Sequence, residues 1–448
     1  MKTMKRLPQL WILLGLFLLS FPAAGQTRFI VRPTPTGSIA AIDARHGLNL
    51  VGPLDNRNRG IFVVTAPSTV SPSTVIANVS ADVDCADIER DVRMAVSESP
   101  SSLNQASVAI LDSMPAPSAI GYYGTPALGL YLSQPAASLI RLPEAQTTFG
   151  MTGAGVVAII DTGVDVKHAA LQGSLVPGFD FVHNRASGSE MIDLNLTNLT
   201  ALTTSNPNPT SKTTQLRLTQ ASVAILDQAS VAILDTKTMP AAFGHGTMVA
   251  GLVHLVAPTA KIMPLKAFRG DGTAQLSDIL RAIYYAADNG ARVINMSFTL
   301  LAPSIEMQKA ITYANDAGAI MVASTGNTGK GVVGNPAAMQ KVMGVASTTN
   351  ADLRSTFSSY GLGTFVAAPG EQVITLYPGN NYAVASGTSF SSPMVAGTAA
   401  LTVQAFPATQ FSNTSQAVSQ AKPVANLGNG RLDIYQAVQF AIQKAADK

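Results

Sequence analysis

The chain has 448 residues, of which 47% are hydrophobic and only 12% are charged. Intrinsically disordered chains and charge-rich coiled coils have the opposite balance, so this composition excludes both classes. The formal net charge is +3, and the first 25 residues account for it, because Lys2, Lys5 and Arg6 have no acidic counterpart there. The remainder has no overall positive field that would attract phosphates, and we expect no nucleic-acid partner.

The first 25 residues have the pattern of an export signal. A basic start leads into the apolar run 10–19, and the small residues Ala23 and Gly25 suit cleavage before Gln26. The alternative is a membrane anchor, but the run is shorter than the roughly 18 apolar residues of a spanning helix. We therefore expect a signal peptide over 1–25, a secreted or periplasmic protein, and no membrane association after cleavage.

Residues 26–100 are predicted to form a small, separate α+β domain. The segments 28–31 and 60–64 are rich in β-branched and aromatic residues and are bounded by Pro and Gly, which is typical of strands. The stretch 73–96 is compatible with either helix or strand. The region 101–139 then reads as a linker, because it is rich in Ser and Pro, and such a linker is a suitable place for proteolytic processing.

An octapeptide, Gln-Ala-Ser-Val-Ala-Ile-Leu-Asp, occurs at 105–112 and then twice in succession at 220–227 and 228–235. In a strand its even period presents the same face in every copy, whereas on a helix the apolar stripe would turn by about 80° per copy. We therefore favour strands over helices. We also expect the first copy to pair with one of the later two, which would bury segments that are prone to aggregate when unpaired.

Residues 140–448 have a different pattern, in which short and continuously apolar segments alternate with helical ones. The predicted strands and helices are 156–160, 261–265, 276–289 (helix), 292–295, 304–317 (helix) and 319–323. Buried parallel strands that alternate with helices indicate an α/β fold with a doubly wound, mostly parallel sheet. Residues 184–240 read as an insertion that carries two octapeptides; it gates substrate, binds a partner, or is a tolerated surface loop.

Four short motifs in this region carry candidate catalytic residues. Asp161 ends a predicted strand, His245 begins a helix between two glycines, Asn327 follows another strand, and Ser389 lies at a helix start. Each motif alone is commonly structural, since Asp and Ser often cap helices. All four lie at strand or helix ends, where a doubly wound sheet collects its active site. Together they indicate a serine nucleophile activated by a histidine base.

The order Asp161, His245, Ser389 is that of subtilisin, and no Gly-x-Ser-x-Gly motif surrounds the serine. With Asp-Thr-Gly at 161–163 and Gly-Thr-Ser-Phe-Ser-Ser-Pro at 387–393, the region resembles the subtilisin-like serine protease family, the subtilases. The resemblance implies a serine endopeptidase that hydrolyses proteins or peptides through an Asp-His-Ser triad and an acyl-enzyme. It also implies that Asn327 donates a hydrogen bond to the oxyanion.

Residues 26–100 are similar, more loosely, to the propeptides that act as chaperone and inhibitor for these proteases. This similarity implies a self-processing zymogen with its own propeptide as a partner. The resemblance further implies that substrate binds as an extended strand between two segments. Their residues are Gly272, Thr273, Ala274, Ser297, Phe298 and Thr299.

The sequence indicates no cofactor. Many family members have a calcium-binding Asp just after the catalytic one, but Ala170 stands at that position, so we expect that calcium site to be absent. The histidines outside the triad have no partners at metal-ligand spacing, and we expect no metal centre. One alternative function remains: a subtilisin-like scaffold that presents the octapeptides for self-association or surface binding, with proteolysis secondary or lost.

Overall fold

The computed structural model describes residues 26–96, 108–111, 119–195, 240–300 and 302–447. The chain divides into two compact units, the first ending at Asp91 and the second beginning at Val92. The expected signal peptide and the second and third octapeptides lie outside the described residues. Among the residues that are described, no helix is both long and apolar enough to cross a membrane.

The first unit is an α+β domain with a four-stranded antiparallel sheet in the order β2-β3-β1-β4. Its elements are β1 (Gln26–Pro33), α1 (Ile39–His46), β2 (Asn49–Pro53), β3 (Phe62–Pro67), α2 (Pro72–Ser80) and β4 (Cys85–Arg90). The ambiguous stretch 73–96 forms a helix first, because the side chain of Ser71 caps it and Pro72 occupies its first turn. The apolar faces of both helices and of the sheet share one small core.

The second unit contains the other strands. These are β5 (Arg93–Val96), β6 (Val108–Leu111), β7 (Ala119–Tyr122), β8 (Thr125–Leu128), β9 (Val156–Asp161), β10 (Phe179–Asp180), β11 (Arg185–Ala186), β12 (Lys261–Lys266), β13 (Thr273–Gln275), β14 (Ala291–Met296), β15 (Phe298–Thr299), β16 (Ile320–Ser324), β17 (Val342–Thr348), β18 (Val366–Pro369), β19 (Val373–Tyr377) and β20 (Asn381–Ala385).

The described part of this unit also contains α-helices, several of which pack on the main sheet. They are α3 (Gly129–Leu132), α4 (Pro135–Leu139), α5 (Leu142–Phe149), α6 (His245–Val256), α7 (Leu276–Asp288), α8 (Ile305–Asp316), α9 (Thr388–Ala405), α10 (Phe411–Val418) and α11 (Ile434–Ala446). Two short 3₁₀ helices span Ala169–Leu171 and Glu190–Asp193. The two helices expected from the sequence are α7 and α8, and the side chain of Ser304 caps α8.

The main sheet has eight strands in the order β11-β10-β12-β9-β14-β16-β17-β18. All its pairings are parallel except the edge pair of β10 and β11. Every residue of β16 is buried, so both faces of the sheet are covered, and its sequence is therefore continuously apolar rather than alternating. The predicted doubly wound, mostly parallel sheet is confirmed.

The described part of this unit also contains a two-stranded sheet, β7-β8, and two three-stranded sheets. One has the order β13-β5-β15 and the other the order β19-β20-β6. The first octapeptide copy contributes β6, which is a strand as its even period predicts. Its expected pairing with a later copy stays a prediction, because those copies lie outside the described residues.

Candidate active site

Asp161 and His245 form a buried pair at the carboxyl end of the main sheet. Asp161 is the last residue of β9, and His245 is the first residue of α6. Oδ1 of Asp161 accepts from Nδ1 of His245 at 2.7 Å and from the backbone N–H of Thr162 at 2.7 Å. A carboxylate on Nδ1 holds the proton there, which leaves Nε2 as the basic nitrogen of the ring.

Glycines on both sides of His245 allow the helix to come this close to β9. Gly244 has a φ of 88°, which is unfavourable for other residues. A Cβ on Gly246 would lie 1.9 Å from the carbonyl oxygen of Gly163, so only glycine fits between α6 and the turn after Asp161. The N–H of Gly246 donates to Oγ1 of Thr162 at 3.0 Å, which joins the two residues that follow Asp161 and His245.

A buried acidic side chain, Glu190, connects the same two elements and lies outside the four motifs. Its Oε2 accepts from the N–H of Gly244 at 2.8 Å and from the hydroxyl of Thr162 at 3.2 Å. Its Oε1 accepts from the hydroxyl of Thr247. Glu190 lies in the range assigned to an insertion and belongs to no motif, so the sequence contains no signal for this position. The first part of the range assigned to the insertion, residues 184–195, thus supplies a side chain that bonds to the elements of the site.

The electrostatics around Glu190 are set by burial. The side chain is fully buried, and this burial raises its pKa to about 8, against the hydrogen bonds from Thr247 and Gly244 and the charge of Lys266, which lower it. Nζ of Lys266 donates to the carbonyl oxygens of Thr162 and Phe268, at 2.9 and 2.8 Å, and pairs with Asp193. The Glu190 side chain and the Lys266–Asp193 ion pair therefore both bond to Thr162, the residue that follows Asp161.

Ser389 is the second residue of α9 and is fully buried. Its Oγ donates to the carbonyl oxygen of Ser297 at 3.1 Å, and its own carbonyl accepts from the hydroxyl of Ser297 at 3.0 Å. The ring of Phe390, the next residue, lies 5.6 Å from the ring of His245. The first turn of α9 is thus held between Ser297 and His245. The backbone N–H groups of such a helix start attract negative charge.

Asn327 lies just after β16 and faces the start of α9. Its Oδ1 accepts from both the N–H and the hydroxyl of Thr388, each at 2.9 Å. Because the carbonyl side of the amide is held by the residue that precedes Ser389, the donor of that amide, Nδ2, is oriented by the same contacts. This geometry suits a donor to an oxyanion formed at Ser389.

One strand of the chain itself, β5, pairs with or bonds to five of the six predicted substrate-binding residues, Gly272, Thr273, Ala274, Phe298 and Thr299. The sixth, Ser297, bonds to Ser389. β5 lies between β13 and β15 and is antiparallel to both. The N–H of Val96 donates to the carbonyl oxygen of Gly272 at 2.9 Å. Arg93 adds side-chain bonds to Thr273 at 2.8 Å and Asp271 at 3.3 Å. Main-chain pairing of this kind gives affinity for an extended peptide, and pockets for its side chains add specificity.

The position at which the resemblance implies a calcium carboxylate offers no ligand. Ala170 is buried in the 3₁₀ helix Ala169–Leu171, and its methyl group has no oxygen for a hard cation. Within the described part of the chain, no cluster of three or more His, Cys, Asp or Glu side chains suits a metal ion. The absence of a metal site stays a prediction, since the chain extends beyond the described residues.

The chain matches one family model and several known proteins. The Subtilase family profile matches residues 153–435. The chain is 33% identical over 302 residues to "Thermophilic serine proteinase" of Bacillus sp. (strain AK1), covering 63% of this chain and 61% of that protein. It is 38% identical to "Alkaline elastase YaB" of Bacillus sp. (strain YaB), covering 42% and 51%. It is 31% identical to "Thermitase" of Thermoactinomyces vulgaris, covering 67% and 94%. The chain thus spans less than two thirds of the first two relatives and nearly all of the third.

Proposed function

The chain belongs to the subtilase family, and we propose that it is an exported serine endopeptidase made as a self-processing zymogen. The observation that carries the proposal is the strand Arg93–Val96, which pairs with β13 and β15 beside Ser389. A peptide held this way has its main chain aligned for attack. The candidate substrates are proteins or peptides that can adopt an extended conformation.

In the proposed reaction, Nε2 of His245 takes the proton of the Ser389 hydroxyl as Oγ attacks the peptide carbonyl. Asp161, bonded to Nδ1, stabilises the imidazolium that forms. Nδ2 of Asn327 and the N–H of Ser389 donate to the oxyanion. The imidazolium then protonates the departing amine, and a water molecule activated by the same base hydrolyses the acyl-enzyme.

The register of β5 supports self-processing close to residue 97. Val96 is opposite Phe298 in an antiparallel pair, and we expect the same register to set the next position opposite Ser297. The carbonyl of Ser297 is the one that accepts from Oγ of Ser389. We therefore propose that the scissile bond is that between Ser97 and Glu98, and we expect the first mature chain to begin at Glu98.

The test compares the maturation of two serine variants after expression without the signal segment. Ser389→Ala should accumulate as a folded, full-length and inactive chain, because it loses the nucleophile but keeps its packing. Ser391→Ala is the matched control: Oγ of Ser391 is buried on the same helix without a hydrogen-bond partner, so this variant should mature like the wild type. Intact-mass and N-terminal analysis give the readout. Maturation of purified Ser389→Ala at the wild-type rate would exclude Ser389 as the nucleophile.

A second pair of variants tests the register. Val96→Pro removes the N–H that donates to Gly272 and should slow cleavage at Ser97–Glu98, whereas Val96→Ala keeps it and should be cleaved normally. Equal rates for both variants would mean that this strand does not present the scissile bond.

Labelling of Ser389 by an active-site serine reagent would separate an active protease from a scaffold that has lost proteolysis.

A further inference from the structure

β20 holds the first octapeptide by main-chain pairing at its outer edge. The pairs run from Ala385 opposite Val108 to Tyr382 opposite Leu111, and the strands are antiparallel. The other edge of β20 pairs with β19. β20 also leads through Gly387 directly into α9, and its last residue, Ala385, is four positions before Ser389. The octapeptide therefore completes a sheet that supports the nucleophile helix.

The three octapeptides are identical in all eight residues, at 105–112, 220–227 and 228–235. Main-chain hydrogen bonds and eight identical side chains give each copy the same intrinsic affinity for the edge of β20. The copies differ only in the linker that joins each of them to the rest of the chain. That linker sets the effective concentration of each copy at the edge. An edge that binds one copy is consequently a site for all of them.

Of the two later copies, the third has the shorter linker to the catalytic unit, which raises its effective concentration at this edge. Because β6 is antiparallel to β20, the carboxyl end of a bound octapeptide lies toward Asn381, where β20 begins. Asn381 is opposite Tyr377, and the ring of Tyr377 packs against Gly244, where a Cβ would lie 2.4 Å from Cε2. The third copy ends at Asp235, nine residues before Gly244, a span of up to about 30 Å. A linker of this length allows the carboxyl end of the third copy to reach the end of β20 where the pairing requires it.

We propose that the outer edge of β20 is a general binding site for the octapeptide, and that the third copy exchanges with the first copy there. The exchange keeps β20 paired when the first copy is withdrawn or removed. It does not depend on proteolysis, so its failure and the failure of the proposed endopeptidase activity are separate outcomes.

The experiment uses the full chain with Ser389→Ala, which prevents self-cleavage, and measures amide hydrogen exchange over residues 381–385. Ile110→Pro removes an N–H from the first copy, and Ile233→Pro is the same change in the third copy. Protection of β20 should stay within about twofold in either single variant and should fall at least tenfold in the double variant. Ile110→Val with Ile233→Val is the matched control and should keep full protection.

Two outcomes would overturn the proposal. Loss of protection in Ile110→Pro alone would mean that the third copy does not replace the first. Retained protection in the double variant, lost only when Ile225→Pro is added, would assign the exchange to the second copy instead.

A synthetic octapeptide of the same sequence provides a measurement that does not rest on folding of the variants alone. It should restore protection to the double variant, whereas the same peptide with Pro at its sixth position should not. Unchanged protection elsewhere in the chain would show that the double variant is folded. If protection over 381–385 then does not recover when the octapeptide is added, β20 has no such site.

Discussion

Replacing Glu190 by Gln tests the protonation of the buried Glu190 side chain, which bonds to Thr162 next to Asp161. Burial raises the pKa of Glu190 to about 8, whereas the same group in the unfolded chain ionises near its ordinary value of about 4.3. Between these values the folded state holds a proton that the unfolded state has released. The stability contributed by this group is therefore fully present below about pH 4.3 and is lost as the pH rises through about 8.

The magnitude follows from proton linkage, which gives about 1.4 kcal/mol per pH unit for one proton. Gln is close in shape to the protonated acid and does not titrate. The free energy of unfolding of the wild type, relative to Glu190→Gln, should therefore fall by a few kcal/mol between pH 5 and pH 9. Gln should become the more stable form at alkaline pH.

The assay is urea unfolding at several pH values, with both chains carrying Ser389→Ala to prevent self-digestion. Glu144→Gln is the matched control. Arg141 lowers the pKa of Glu144 by hydrogen bonding, so that carboxylate stays ionised throughout, and its variant should differ from the parent by a constant amount. A pH-independent difference for Glu190→Gln as well would refute the reasoning. It would mean that the bonds from Gly244 and Thr247 outweigh burial and keep Glu190 ionised at pH 5.

Three further predictions concern catalysis, pH and metal. Asn327→Ala should lower kcat by roughly 10²–10³ with little change in KM. Asn327→Asp keeps an oxygen toward Thr388 but lacks Nδ2, and it should lose as much kcat. Normal turnover in Asn327→Asp would mean that Nδ2 does not bind the oxyanion. Burial lowers the pKa of His254 to about 4, so the folded chain should lose stability as the pH falls from about 6.5 toward 4; thermal unfolding of His254→Leu should show a weaker acid dependence, and an unchanged one would contradict this. Since Ala170 supplies no carboxylate, EDTA should leave Tm unchanged, and a clear fall in Tm would reveal a calcium site elsewhere in the chain.

The local sequence pattern was sufficient to predict the α/β fold and the candidate catalytic residues. Strands such as β9 and β16 are covered on both faces, so they are continuously apolar and easily recognised. Asp161, His245 and Ser389 lie next to glycines or helix starts whose local geometry is visible in a few consecutive residues. The sequence alone thus determined the buried strands of the main sheet and the motifs at their ends, whereas the stretch 73–96 stayed open between helix and strand.

Only the tertiary structure decided what joins these motifs. Glu190 contacts Gly244 and Thr247 across more than 50 positions of sequence, and no local pattern distinguishes it from a surface acid. The register of β5 between β13 and β15, and the choice of β20 as the partner of the first octapeptide, likewise depend on edges that come together after folding. The backbone groups that pair neighbouring strands are the same in every sequence, so they do not specify which strand pairs with which. The partners are selected by the packing of side chains in the core.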